Sequence, residues 1–194
     1  VPDEHHAWPG SVFRAADPGY GARIRWAGSH APVTEVVRKI GGAMAAQPSV
    51  EIPVPVQDAF AVLADGWLYG LWVVGASHIR KVDPGWPQVG TRIHHSVGGW
   101  PLARQDTTKV RSVDAPHRLE LEARLWPAGA AYIRLDLSEL GPDRTEVTMT
   151  ERVVHGPGKL LPEPVQDLAL VPRNRESLQR FAALAVGRSP RSPG

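Results

Sequence analysis

The sequence predicts an α+β fold: a seven-stranded antiparallel sheet curved around a long C-terminal helix, with two short helices after the first strand. Three observations carry that expectation. Val50–Ala76 passes from a strand pattern to helical periodicity with a glycine break. Residues 79–153 alternate apolar and polar side chains in segments separated by Pro- and Gly-rich turns. Residues 173–185 return to helical spacing.

In the first stretch, Val50 and Ile52 alternate with Ser49 and Glu51, as in a half-buried strand. Pro55 suits the first position of a helix, where its missing N–H costs nothing. Val56, Ala59, Phe60, Leu63 and Ala64 then fall on one helical face, and Asp65-Gly66 ends it. The next turn sets Leu68, Leu71 and Trp72 on one side, with Tyr69 beside them.

Strands follow over Ile79–Asp83, Arg92–Val97, Arg104–Val113, Arg118–Leu125, Ile133–Ser138 and Glu146–Val153. The alternation is cleanest at Leu119, Leu121, Ala123 and Leu125, against Glu120, Glu122 and Arg124. One face of such a sheet is apolar and must be covered, so it curls over the closing helix. That helix begins near Pro164, and Pro172 is expected to kink or restart it. Leu178, Phe181, Ala182, Leu184 and Ala185 form its apolar face.

The folded domain is expected over 49–186. Residues 1–43, rich in Pro, Gly and Ala, read as a disordered or weakly ordered N-terminal extension, or as the product of a start placed upstream of Met44. The competing reading is a short helix over Val33–Ile40, capped by Thr34 and packed on the domain. Residues 187–194 read as a disordered tail.

Composition narrows the classes. The chain of 194 residues has a net charge of only +2 and no dense Lys/Arg stripe, so nucleic-acid binding is not expected. No apolar run is long enough to span a bilayer, and stable membrane insertion is not expected. With no secretory leader pattern and no cysteine, the expected location is cytoplasmic. Seven tryptophans are the unusual feature, five of them between Trp67 and Trp126. There is no phosphate-binding loop, serine-nucleophile elbow or dinucleotide fingerprint.

This order of elements, together with three local stretches, resembles the polyketide cyclase/dehydrase and lipid-transport (SRPBCC, START-like) family. The stretches are Val50–Gly75, with Leu63-Ala64-Asp65, Tyr69 and Trp72-Val73-Val74-Gly75; Thr145–Gly156, TEVTMTERVVHG; and Arg173–Ala185, RNRESLQRFAALA. The resemblance covers residues 49–186 and implies a helix-grip fold with an internal cavity. Family members include aromatase/cyclases and carriers of lipids or quinones, so fold alone does not decide the chemistry.

Candidate ligand-binding residues are Tyr69, Trp72, His95, Trp100 and Glu151. Alternation places Glu151 on the concave face with Val147, Met149 and Val153, where a carboxylate needs a partner. It either orients a ligand or acts as an acid/base, or it serves as structural partner to an arginine or a backbone amide at the strand end. His94 and His95 cannot chelate one ion together, because strand neighbours point to opposite faces. His95 faces inward, as a ligand or proton-transfer group or as a satisfied core histidine. Tyr69, Trp72, Trp100 and Trp126 could stack on a flat ligand or simply anchor core and loops. No metal site and no cofactor is expected.

The expected function is binding of a hydrophobic or aromatic small molecule (lipid, quinone or polyketide-like) in the cavity. The alternative is an aromatase/cyclase-type enzyme in which Glu151 or His95 moves a proton. A third is a regulatory protein with a vestigial pocket.

Overall fold

A computed structural model describes residues 33–40, 43–97, 104–125 and 129–189. Its strands are β1 (Val33–Ile40), β2 (Ala43–Ile52), β3 (Ala76–Val82), β4 (Arg92–Val97), β5 (Arg104–Asp114), β6 (Arg118–Leu125), β7 (Gly129–Gly141) and β8 (Arg144–His155). Helices α1 (Val56–Ala64) and α2 (Tyr69–Trp72) follow β2, and α3 (Glu163–Arg188) closes the chain. One antiparallel sheet runs in the order β1-β2-β8-β7-β6-β5-β4-β3.

The seven strands β2 to β8 are those expected from the sequence, and an eighth, β1, lies outside them. Residues 33–40 are therefore a strand, where helical spacing was the alternative to disorder. Five of the eight residues (Val33, Thr34, Val36, Val37 and Ile40) are β-branched, which restricts χ1 in a helix and suits a pleated surface. Residues 1–32 and 190–194 lie outside the described residues.

Strand β2 pairs with β8 on one side and β3 forms the opposite edge, so the chain between them must cross the width of the sheet. Helices α1 and α2 make that crossing beneath one face: α1 touches β7, β8 and α3, and α2 touches β3 and α3. Val56, Ala59, Phe60, Val62 and Leu63 of α1 are buried. Asp65 then ends the helix and its carboxylate accepts from the Trp67 N–H at 3.2 Å. Tyr69 and Trp72 turn inward, whereas Leu71, expected beside Trp72, is 58% exposed. The short α2 cannot bury both sides of its single turn.

The core lies between this face and α3. Leu119, Leu121, Ile133, Leu135, Val147 and Met149 rise from the sheet to meet Leu178, Phe181, Ala182 and Ala185. Helix α3 is continuous through Pro172, so no restart occurs there. Pro172 is exposed, with its ring turned away from the packed side. Among the described residues no helix is long and apolar enough to cross a membrane.

Candidate functional site

The polar groups of the covered face form two small clusters. The first is built on β4 and β5. Ile93 and His95 alternate inward along β4, and Asp106, Thr108 and Val110 do so along β5. His95 stands opposite Asp106 in the ladder. Its Nε2 lies 3.0 Å from Thr108 Oγ1, and Tyr69 Oη of α2 reaches the same hydroxyl at 3.1 Å. His95 Nδ1 is 3.4 Å from the Ser96 carbonyl.

One neutral arrangement of protons satisfies all three. Tyr69 O–H donates to Thr108, Thr108 O–H donates to His95 Nε2, and His95 Nδ1–H donates to Ser96. Burial lowers the pKa of His95 below its ordinary 6.5 and so favours the neutral ring this chain requires; the nearby Asp106 charge opposes that shift. Burial likewise pushes the Tyr69 phenol up to about 12, against the Thr108 hydrogen bond, which acts to lower it. Tyr69 also feels the charges of Arg173, Glu151 and Asp106, which puts the second cluster within electrostatic reach of the first.

The second cluster joins β8, α2 and α3. The Glu151 side chain is 1% exposed, and Arg173 Nη1 donates to its two oxygens at 2.9 and 3.1 Å. Arg173 Nε donates to the Val74 carbonyl at 3.0 Å. The Val74 N–H donates to Ser177 Oγ at 3.1 Å, and Ser177 returns a bond to the Arg173 carbonyl. A single guanidinium thus ties the buried carboxylate of the sheet to the chain leaving α2.

Two further buried side-chain atoms are unsatisfied. Gln47 Nε2 on β2 and Asn174 Oδ1 on α3 are buried without a hydrogen-bond partner among the described residues. β2 is in extensive contact with α3. A buried amide atom left bare is costly, so these two mark where something other than the described protein atoms is to be expected.

The structure brings Tyr69, His95 and Glu151 to the covered side of the sheet and places Trp72 in the core. Trp72 packs edge-on against Tyr69 at 5.5 Å and against Phe181 of α3 at 5.6 Å. Trp100 and Trp126 lie outside the described residues. His94 points the other way from His95, as strand geometry requires, with Nε2 3.1 Å from Asp83 Oδ1. Glu151 has the arginine partner that its burial demands. Among the described residues no cluster of three or more metal-ligating side chains occurs.

Sequence reading missed Thr108, Asp106 and Arg173 as parts of this arrangement, and Gln47 and Asn174 altogether. β5 reads as a uniformly polar strand, and only the threonine's position two residues before Val110 marks it as inward-facing. Gln47 and Asn174 carry no local signal of burial.

By sequence, the chain matches no family model and no curated protein. By structure it is similar to solved proteins at low identity. An NMR structure of a protein from Arthrobacter aurescens matches with a TM-score of 0.59 at 15% identity, covering 79% of this chain and 92% of that one. The Zhui aromatase/cyclase from Streptomyces sp. R1128 matches at 0.55 and 15%, covering 75% and 94%. Ara h 8.0201 matches at 0.53 and 15%, covering 73% and 97%. The likeness is one of fold. The chain has a helix-grip architecture, the fold that its sequence resemblance implies.

Proposed function

We propose that this protein binds a hydrophobic or aromatic small molecule (a lipid, quinone or polyketide-like compound) between the sheet and α3, in the cytoplasm, without metal or cofactor. The observation that carries this reading is the set of polar side chains, Tyr69, His95 and Glu151, brought to the covered and otherwise apolar side of the sheet, with the unpartnered Asn174 Oδ1 buried on the core side of α3. Ligand sites of this type are lined mainly by apolar and aromatic groups, with a few polar atoms that fix orientation. An occupant with one donor would satisfy the Asn174 oxygen. Trp72 supports Tyr69 from behind, and Trp100 belongs to the proposed set as a stacking residue.

The test is native mass spectrometry of the full chain, with organic extraction of whatever co-purifies. A retained apolar compound is expected, and Asn174→Leu should reduce its occupancy several-fold while leaving the thermal midpoint unchanged or raised. The midpoint should not fall, because an apolar group of similar shape removes the unsatisfied acceptor. No co-purifying compound, together with no response of tryptophan fluorescence to a panel of apolar ligands, would remove the support for this reading.

A second reading, an aromatase/cyclase-type enzyme, is favoured by the proton chain Tyr69–Thr108–His95, which offers one basic nitrogen backed by two hydroxyls. Here His95 is the proton acceptor. Glu151 is held on both oxygens by Arg173 and serves as a clamp. Loss of turnover in His95→Gln with turnover kept in Glu151→Gln would support that assignment; the reverse pattern would reject it.

A further inference from the structure

The open face of the sheet, opposite α3, carries a groove of about 460 Å³ across β3 to β6. Its wall carries Arg80, Arg92, Lys109 and Arg124 with His94 and Glu122, and it touches Asp106, which is buried on the inward side of β5. The two carboxylates offset only part of this charge. Glu122 accepts two bonds from Arg111, which stands outside the groove. Asp106 is buried and accepts from the Thr107 N–H at 2.6 Å. His94 is engaged by Asp83, and Arg80 donates only to the His95 carbonyl, at 3.3 Å. Arg92, Lys109 and Arg124 have no ion-pair partner among the described residues.

The register makes this arrangement costly when the groove is empty. Arg92 stands directly opposite Lys109 in the β4–β5 ladder. Like charges in that position repel, and the acidic residue that could offset them, Glu122 opposite Lys109, is drawn off by Arg111. The chain is also irregular beside the groove. β3 carries a register shift between Ser77 and Lys81, with His78 at a φ of 43°, a conformation a non-glycine residue rarely takes. Arg80, within that shifted segment, lines the groove wall. Local strain and like-charge repulsion gathered at one concave spot are the marks of a site that an anion completes.

We propose that this groove binds a small molecule bearing a phosphate with two or more negative charges. Guanidinium groups match phosphate oxygens in paired hydrogen bonds, and a monoanionic carboxylate would leave most of the positive charge uncompensated. Nucleic acid fits less well. Beyond the groove the same face mixes signs, with Arg134 opposite Glu120 and Arg118 opposite Asp136, so no uniform cationic stripe exists for a backbone to follow.

The experiment is calorimetric titration of the full chain with inorganic pyrophosphate at low ionic strength, with inorganic phosphate alongside. Saturable binding is expected, weakened at least tenfold by Arg92→Gln with Lys109→Gln. It should be unaffected by Arg118→Gln, a cation of the same face that is already paired with Asp136. Far-ultraviolet circular dichroism verifies that each variant is folded, and Arg92→Lys should retain most of the binding. Vesicles containing phosphatidic acid form a second arm: sedimentation with them, abolished by the double substitution, would identify a lipid headgroup as the source of the phosphate. No saturable binding to either probe would overturn the proposal. Equal weakening by Arg118→Gln would do so too, since it reports charge screening alone. Binding of a single-stranded oligonucleotide more than tenfold tighter than pyrophosphate would replace the small molecule with nucleic acid.

Discussion

His95 concentrates the electrostatics of the covered face in one residue. Its folded pKa lies below the ordinary 6.5 because burial disfavours the charged ring. Between those two values the unfolded chain binds a proton that the folded chain refuses, so folding stability must rise with pH there. Stability from this group is complete above the unfolded value and is lost as the pH falls toward the folded one. The groups acting on the ring are Asp106 across the ladder, Arg80 from β3 and His94 beside it, together with the Thr108 and Ser96 hydrogen bonds. Protonation would turn Nε2 into a donor, so the Thr108 hydroxyl could no longer donate there and would have to direct its own proton elsewhere. The thermal midpoint should therefore drop as the pH is lowered through 6.5, with a slope of up to about 1.4 kcal/mol per pH unit. In His95→Gln, that part of the slope should vanish; an unchanged slope would mean that other histidines govern the dependence. Alternation along β4 was enough to point His95 inward. Its partner Thr108 belongs to another strand, and the contact exists only through the β4–β5 register.

Helix α3 shows where local rules yield to packing. Pro172 has no N–H to give the carbonyl four residues back and its ring crowds that carbonyl, so a kink or a restart was expected. The helix nonetheless runs unbroken from Glu163 to Arg188. Leu170, Asn174, Ser177 and Leu178 are buried on either side of the proline, and Arg173 locks its next residue to Glu151 and Val74. These contacts hold the axis while Pro172 and Leu168 face water, which can serve the freed carbonyl. Pro172→Ala should then restore a helical hydrogen bond and stabilise the protein by about 1–2 kcal/mol. Urea unfolding should show the shift in midpoint, and amides just after the substitution should exchange more slowly. A loss of stability would mean that the proline sets the helix's path. The same competition explains what the sequence made legible. Strand periodicity and the apolar face of 178–185 are local and were readable. Continuity through Pro172 and the exposure of Leu71 are set by neighbours distant in the chain, so no window of sequence contains them.

For the molecule as a whole, the question is whether the first strand belongs to the cooperative domain. The opening strand expected at Val50 and Ile52 is internal to the sheet, because β1 lies outside it. β8 pairs with only Ser49–Ile52 of β2, so Ala43–Pro48 has β1 as its sole partner in the sheet. Ordering the eight residues of β1 costs roughly 1–2 kcal/mol each. Ladder hydrogen bonds return about 0.5–1.5 kcal/mol apiece, which nearly cancels that cost. The contact of β1 with α3 as well as β2 tips the balance toward stability. A chain begun at Ala43 should consequently keep its circular dichroism spectrum but lose about 2–3 kcal/mol. For a domain of this size that is a fall in thermal midpoint of roughly 5–10 °C. It should also self-associate, because the stripped half of β2 offers unpaired backbone groups to a second copy. Sedimentation and a thermal scan test both effects together. An unchanged midpoint with a monomeric chain would mean that β1 contributes nothing to the domain, and that the folded unit begins with β2.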